Sequence, residues 1–488
     1  MNRSLSTSPK AGIQIVRNGF RIKCGMTTTQ IMLDRALRTW TGTFGYERNR
    51  TTGPIRNYIC GNNMTQKEKF LTGLAKEHTD ITRRYFLRLG AIGAASLSIP
   101  QLWAQENEGE ASLLLSEAIS KLEYLTREEN FVNAGRGDPP PHKLPLEKLR
   151  EVGLVRETWQ LEVLPDPDSN AKVERPLSKA LGTALNWDGL MKLARKHTVR
   201  FMSVMSCTNG KTPFGMGLWE GVPLREVVWL AQPTANVRRL FYYGYHNDDP
   251  KQRFQSSLPI GRVLEDPPGE HPVILCYKLN NQWLTSKRGG PVRMLVPDAY
   301  GNKSVKWLQR IMLTNNYQAN DTYALWNNDT VSHIKTCARF IHTPKKIKAG
   351  QPVPITGVAQ VGMSGLSKVQ YWLHPHDAPL PKDDPYFTKA EWKEAEILPP
   401  PDDWGGGLPG GKLPPTSRQF DPATGKPYNW PIRNTIVHWV TLLAVERPGQ
   451  YDLSCRTIDV RGIAQPLPRP FLKSGHNAIQ RVRIVVEK

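Results

Sequence analysis

"GGPVRMLVPDAYGNKSVKWLQRI", residues 289–311, is the stretch on which the reading of the fold turns. Two glycines open it, and without a Cβ the backbone there can approach a neighbour closely. "GGPVRMLVP" (289–297) reads as a strand. "DAYGNK" carries turn residues, and "SVKWLQRIMLT" (304–314) reads as a second strand. Taken singly, Arg293 and Lys306 would be surface charges.

Outward from this stretch, short strands and helices mix from about 146 to 335. "NWDGLMKLARKH" (186–197) has helical spacing, and "VRFMSVMSC" (199–207) then reads as a strand. "PLREVVWLA" (223–231) is a helix, and "VRRLFYYGY" (237–245) and "PVILCYKL" (272–279) are strands. From about 338 the texture is strands only, among them "VPITGVAQV", "KVQYWLHP" and "TIVHWVTLLAV". Turn signals separate them, which predicts a sandwich. A Pro/Gly-rich insertion at 375–434 interrupts it. The fold class is α+β. A lead-in at 105–129, mobile apart from one helical patch, is expected before the first domain.

Composition narrows the class. The 488 residues include 40 Pro and 39 Gly, too many for a long all-helical protein. Six cysteines are too few for a disulfide scaffold. Net charge is +21, with +11 of it in residues 1–104. The basic remainder suits an anionic ligand or acidic partner, and its even spread gives no footprint for nucleic acid. Arg83 and Arg84 precede the apolar run "LGAIGAASLSIPQLWA" (89–104), too short to span a membrane, which needs roughly 20 residues. This resembles a twin-arginine export signal over 64–104, with periplasmic delivery or an uncleaved anchor as its outcomes. Residues 1–63 then read as disordered or as a start assigned too early.

Cys207 ends an apolar strand and opens into "TNGKTPFG", which leaves three readings: buried hydrophobe, disulfide half, or metal ligand. "GGLPGGKL" (406–413) lacks the Ser or Thr of a phosphate loop and is flanked by prolines. His374 and His376 of "HPHD" have no third metal ligand in view. No CxxCH occurs, so covalent c-type haem is not expected.

Four segments in order, around Cys207, "NDDP" (247–250), 289–311 and "GQYDLSCRTIDVRGIAQP", resemble the sulfite oxidase family of molybdopterin enzymes. Gly289, Pro291, Val292, Arg293, Pro297, Gly301, Lys306, Trp307 and Leu308 all fall in the family pattern. The resemblance implies a mixed α/β molybdopterin-binding domain at 130–337 and an immunoglobulin-like β-sandwich dimerisation domain at 338–488. It makes Cys207 the thiolate ligand of molybdenum, a soft donor suited to that metal. Arg288, Arg293, Ser304, Val305, Lys306 and Asp248 would seat the pterin, with Asn130 and Asn133 also at the cofactor.

Departures bear on the substrate. Asn133 stands where the family has an arginine after "FV", and Lys211 and Thr212 stand where another is expected. The position of the substrate tyrosine reads "YALWNND", with Tyr323 early and Asn327 in its place. Lys211, Tyr323 and Trp326 are therefore the pocket candidates. The implied activity is oxygen-atom transfer, with sulfite as leading substrate, a separate cytochrome c as acceptor, and a homodimer through the sandwich. Reduction of an S-oxide or N-oxide, such as methionine sulfoxide, is the rival. A non-catalytic exported binding or scaffold protein on the same fold is the rival of another class.

Overall fold

The computed structural model describes residues 108–488, except 209–211, 248, 325–328, 381–383, 385–386 and 466–477. The expected leader and N-terminal extension lie outside the described residues, as do Lys211, Asp248 and Trp326. Among the described residues, no helix is long and apolar enough to cross a membrane.

Two five-stranded sheets make the first unit. One runs in the order 185–186, 160–165, 308–314, 239–244, 255–259. Gln160–Pro165 and Leu308–Thr314 pair in parallel, and the other neighbours are antiparallel. The second runs 199–205, 215–223, 274–279, 282–283, with Arg293–Leu295 added alongside Ile274–Leu279. The stretch 289–311 therefore feeds both sheets: its first arm belongs to one and its second arm to the other. The second strand starts at Leu308 rather than 304, because Trp307 takes a positive φ of 54° and turns the chain. One core unites them, holding Val292, Met294, Val305, Leu308 and Ile311 with Trp159 and Leu224. Fully burying such side chains contributes roughly 1.5–3 kcal/mol each.

The helix Trp187–His197 starts where the Asn186 side chain accepts a hydrogen bond from Gly189 N at 2.9 Å. Arg195, Lys196 and His197 fill its last turn, where positive charge suits the exposed carbonyls.

The second unit is all β. Its eight strands form one hydrogen-bonded path, 337–342, 353–361, 435–443, 393–397, 368–375, 449–458, 480–487, 346–348. The expectation of an immunoglobulin-like sandwich is thus met only as far as an eight-stranded unit with a common core around Trp439, Tyr371 and Leu453. Lys393–Ile397 pairs with Lys368–Pro375 on one side and Thr435–Leu443 on the other, which makes the path continuous. That strand comes from the 375–434 insertion.

The rest of the insertion packs back on the first unit. Trp404, Leu408, Phe420 and Ile432 share a core with Tyr124, Leu125, Met202 and Met216. Arg418 N donates to Arg200 O and Val204 N donates to Asn434 O, each at 2.8 Å. The lead-in is not mobile at its end, contrary to expectation. Tyr124 and Leu125 are buried, and Leu125 N donates to Trp404 O at 2.8 Å. Apolar burial against the insertion holds it.

Cys207, Cys276, Cys337 and Cys455 are all free, and the last three are buried. Burial pushes the Cys276 thiol up to about 12, which makes it inert as a nucleophile.

Candidate functional site

The two arms of 289–311 lie against each other. Trp307 N donates to Gly289 O at 3.0 Å, Leu308 N to Val292 O at 2.9 Å and Met294 N to Val305 O at 2.9 Å. Gly289 sits at φ +95°, and a Cβ there would lie 2.6 Å from Cβ and Cγ of Lys306. Glycine is what lets Lys306 pass so close. The turn Ser286–Arg288 before it is capped by Thr285, whose side chain accepts from Arg288 N at 3.2 Å.

Cys207 follows the strand Val199–Met205 and is half-buried. Ser206 O, beside it, accepts from Gly301 N at 2.7 Å, which brings the cysteine loop onto the 289–311 turn. Together these segments border a cleft of about 230 Å³. Cys207, Arg288, Arg293, Ser304, Val305, Lys306 and Tyr323 line it, as do Arg136, His246 and Phe254. No carboxylate lines it among the described residues.

The charged wall is short of counter-charge. Arg293 is buried; its two terminal nitrogens donate to Arg288 O at 3.0 Å and Ser304 O at 2.7 Å. Its Nε is buried with no partner among the described residues. Burial draws Arg293 down to about 10. Lys306 Nζ donates to Asn133 Oδ1, Ala134 O and Lys287 O at 2.8, 2.6 and 2.9 Å. Three acceptors suit an ammonium, yet burial and the Arg293 and Arg288 guanidiniums pull Lys306 down to about 6. Among the described residues only Arg288 of this wall has an acidic partner, Glu128, 3.1 Å away, and it also donates to Phe131 O and Val132 O. An anion in the cleft would relieve both Arg293 and Lys306.

His246 is buried, and burial pulls it down to about 4, so its ring is neutral at pH 7. Its Nδ1 lies 3.0 Å from Gly244 O, which makes Nδ1 the protonated nitrogen and leaves Nε2 as an acceptor. Arg136 is exposed and lies 5.7 Å over the Phe254 ring. It has no ion pair or hydrogen bond among the described residues. Phe254 in turn meets Tyr323 edge-on at 5.4 Å. Burial and the nearby Cys207 both raise the Tyr323 phenol.

Of the residues predicted from sequence, seven converge on the cleft: Cys207, Arg288, Arg293, Ser304, Val305, Lys306 and Tyr323. Asn130 and Asn133, expected at the cofactor, do not line it. Asn130 is exposed on the turn Glu128–Asn130, whose Glu128 is the residue that reaches inward to Arg288. Asn133 acts one step back, by accepting from Lys306. Arg136, His246 and Phe254 were not singled out from sequence; they stand alone in loops, where no period or repeat marks them. His374 and His376 do not converge: His374 Nε2 donates to Ala378 O, and His376 pairs with Asp452.

Among the described residues no three His, Cys, Asp or Glu come together as metal ligands. A metal here would need most of its donors from an organic group, with Cys207 as the protein's sulfur. The cleft fits such a group: one accessible thiol, a cationic wall with an orphaned buried Nε, and apolar faces from Phe131, Trp219 and Trp307. Such a cleft suits an anionic organic cofactor that would bring a metal to the Cys207 sulfur.

Comparison with known proteins agrees. Residues 151–322 match the oxidoreductase molybdopterin binding domain. The chain is 24% identical over 263 residues to the sulfite oxidase of Gallus gallus, covering 51% of this chain and 50% of that protein. It is 28% identical over 193 residues to the mitochondrial sulfite oxidase of Drosophila melanogaster, covering 35% and 32%. It is 32% identical over 122 residues to the NADH nitrate reductase of Volvox carteri, covering 24% and 14%. These matches span half or less of the relatives' length. Among solved structures, the sulfane dehydrogenase SoxCD of Paracoccus pantotrophus is 17% identical, with 69% of this chain and 79% of that one covered and a TM-score of 0.46. Residues 151–322 thus carry a molybdopterin-binding oxidoreductase domain, and in this part the chain is similar to sulfite oxidases.

Proposed function

We propose that this protein transfers an oxygen atom to a small anionic sulfur compound, with sulfite as the leading substrate. The observation that carries the reading is one cleft holding the Cys207 thiol, the under-neutralised wall of Arg288, Arg293 and Lys306, and a separate cation, Arg136, without an ion pair among the described residues. The molybdenum cofactor, when bound, supplies the redox and oxygen-transfer chemistry. The chain's own residues do the rest. Cys207 offers its sulfur to the metal, and Arg288, Arg293 and Lys306 bind the anionic part of the pterin. Arg136, exposed beside Phe254 and Tyr323, orients the substrate anion, and these two rings narrow the access of water. Neutral His246 offers Nε2 as a hydrogen-bond acceptor.

Electrons would leave to a separate cytochrome c. Export through the twin-arginine pathway, on the sequence of 64–104, and a homodimer through the C-terminal unit complete the reading.

The test is metal and pterin content of protein matured in the cytoplasm, followed by sulfite-dependent reduction of cytochrome c. Arg136→Gln is expected to raise KM for sulfite about tenfold while kcat changes less. A protein without molybdenum whose properties Cys207→Ala leaves unchanged would support a non-catalytic role and overturn the proposal. A loaded enzyme silent with sulfite, yet reoxidised by methionine sulfoxide, would reverse the direction of transfer.

A further inference from the structure

Behind the cleft wall lies a buried ion pair that the proposed chemistry does not use. Lys303 Nζ is 2.9 Å from Asp321 Oδ2, and the residues are 2% and 5% exposed. Neither lines the cleft. An isolated buried pair is poor value for stability, because the desolvation of two charges offsets their attraction. Its bonds show what it holds instead.

Asp321 uses both oxygens. Oδ1 accepts from the backbone N–H groups of Tyr323 and Ala324, each at 3.1 Å. Oδ2 accepts from Lys303 Nζ and from Ser257 Oγ at 2.8 Å. The turn that carries Tyr323 is thus wrapped around one carboxylate. Lys303 sits in the turn of 289–311, and Gly301, two residues earlier, donates to Ser206 O beside Cys207. Lys303 Nζ also donates to Ser257 O at 3.0 Å, and Lys303 O accepts from Tyr242 Oη at 2.7 Å. One short path of bonds therefore runs from the cysteine loop through Gly301, Lys303 and Asp321 to Tyr323.

We propose that Lys303 and Asp321 are positioning residues that set the Tyr323 ring against the Cys207 end of the cleft. The proposal rests on the reading of this cleft as the reaction site. The pair fixes the Tyr323 backbone to the same turn that fixes the cysteine loop, so the two cleft groups keep one relative placement.

The test uses the molybdenum-loaded full chain labelled with 3-fluorotyrosine. The fluorine resonance absent from Tyr323→Phe belongs to Tyr323, and Asp321→Asn should move it while metal content stays at the wild-type level. With sulfite, Asp321→Asn should lower kcat/KM about tenfold in the wild-type background and leave it unchanged in the Tyr323→Phe background, since a residue acting through another adds nothing once that one is gone. Ser257→Ala, which removes one bond to Asp321, should move the same resonance less and serves if Asp321→Asn does not fold. A stationary resonance in both variants, or losses that add fully to that of Tyr323→Phe, would overturn the proposal. Should wild-type protein show no sulfite turnover, the functional reading fails, and the fluorine signal still decides the positioning role.

Discussion

Gly289→Ala is the sharpest perturbation of the site that alters the chemistry of no cleft side chain. Two terms set its size. The backbone is at φ +95°, where a residue with a Cβ is strained by about 1–2 kcal/mol. The new Cβ would stand 2.6 Å from Cβ and Cγ of Lys306 and 2.9 Å from its Cα. Overpacking of that kind costs about 1–3 kcal/mol, because backbone must move. The total is about 2–5 kcal/mol, which for a domain of this size lowers the melting temperature by roughly 5–15 °C. Displacing Lys306 also disturbs its bonds to Asn133, Ala134 and Lys287, so cofactor retention should fall with stability. Calorimetric melting and molybdenum content together read both effects. Gly261→Ala is the control: it is an exposed helical glycine with nothing within 4 Å of its Cβ position, and alanine there should gain about 0.5–1 kcal/mol. If Gly289→Ala melts like wild type and keeps its molybdenum, the close approach to Lys306 does not shape the site.

Other expectations follow from the same structure. His271 is buried, stacked at 4.2 Å on Phe201 of the cysteine strand, and burial pulls it down to about 3 against about 6.5 when unfolded. Its native form is neutral, so stability is lost as pH falls below about 6.5, by about 2 kcal/mol at pH 5. His271→Phe should remove that part of the pH 7 to pH 5 difference in urea midpoint, and an unaltered pH dependence would refute it. Leu125, fully buried against the insertion, should cost about 2–5 kcal/mol as Leu125→Ala. Limited proteolysis should then cut the lead-in sooner, and equal cutting rates would deny its anchoring.

What could be read beforehand was set by how each signal is written in the chain. Cys207, Arg293 and Lys306 lie in continuous patterned segments, so neighbours vouch for them. Arg136 and His246 belong to loops of Gly, Pro, Asn and Asp, where only the folded geometry gives a lone side chain meaning. "KEAEI" was not visible as a strand because Ala395 is its only buried residue; partners on both sides, rather than alternation, hold it in the sheet path. Trp404 and Phe420 are apolar residues scattered among prolines and glycines, a spacing that matches no periodic element. Their core partners Met202 and Met216 are far away along the chain.

That distance has a consequence for biosynthesis. The backbone of Ile436 reaches the sulfur of Met216 across 220 residues of sequence, and the neighbouring residues cover the strand that leads to Cys207. On the ribosome, the cysteine strand emerges long before its cover exists. Contacts of such long range form late, after the loop entropy between them has been overcome. The nascent chain therefore passes through a stage in which the half that forms the cleft is made and its outer flank is still open, and translation of the last quarter closes it.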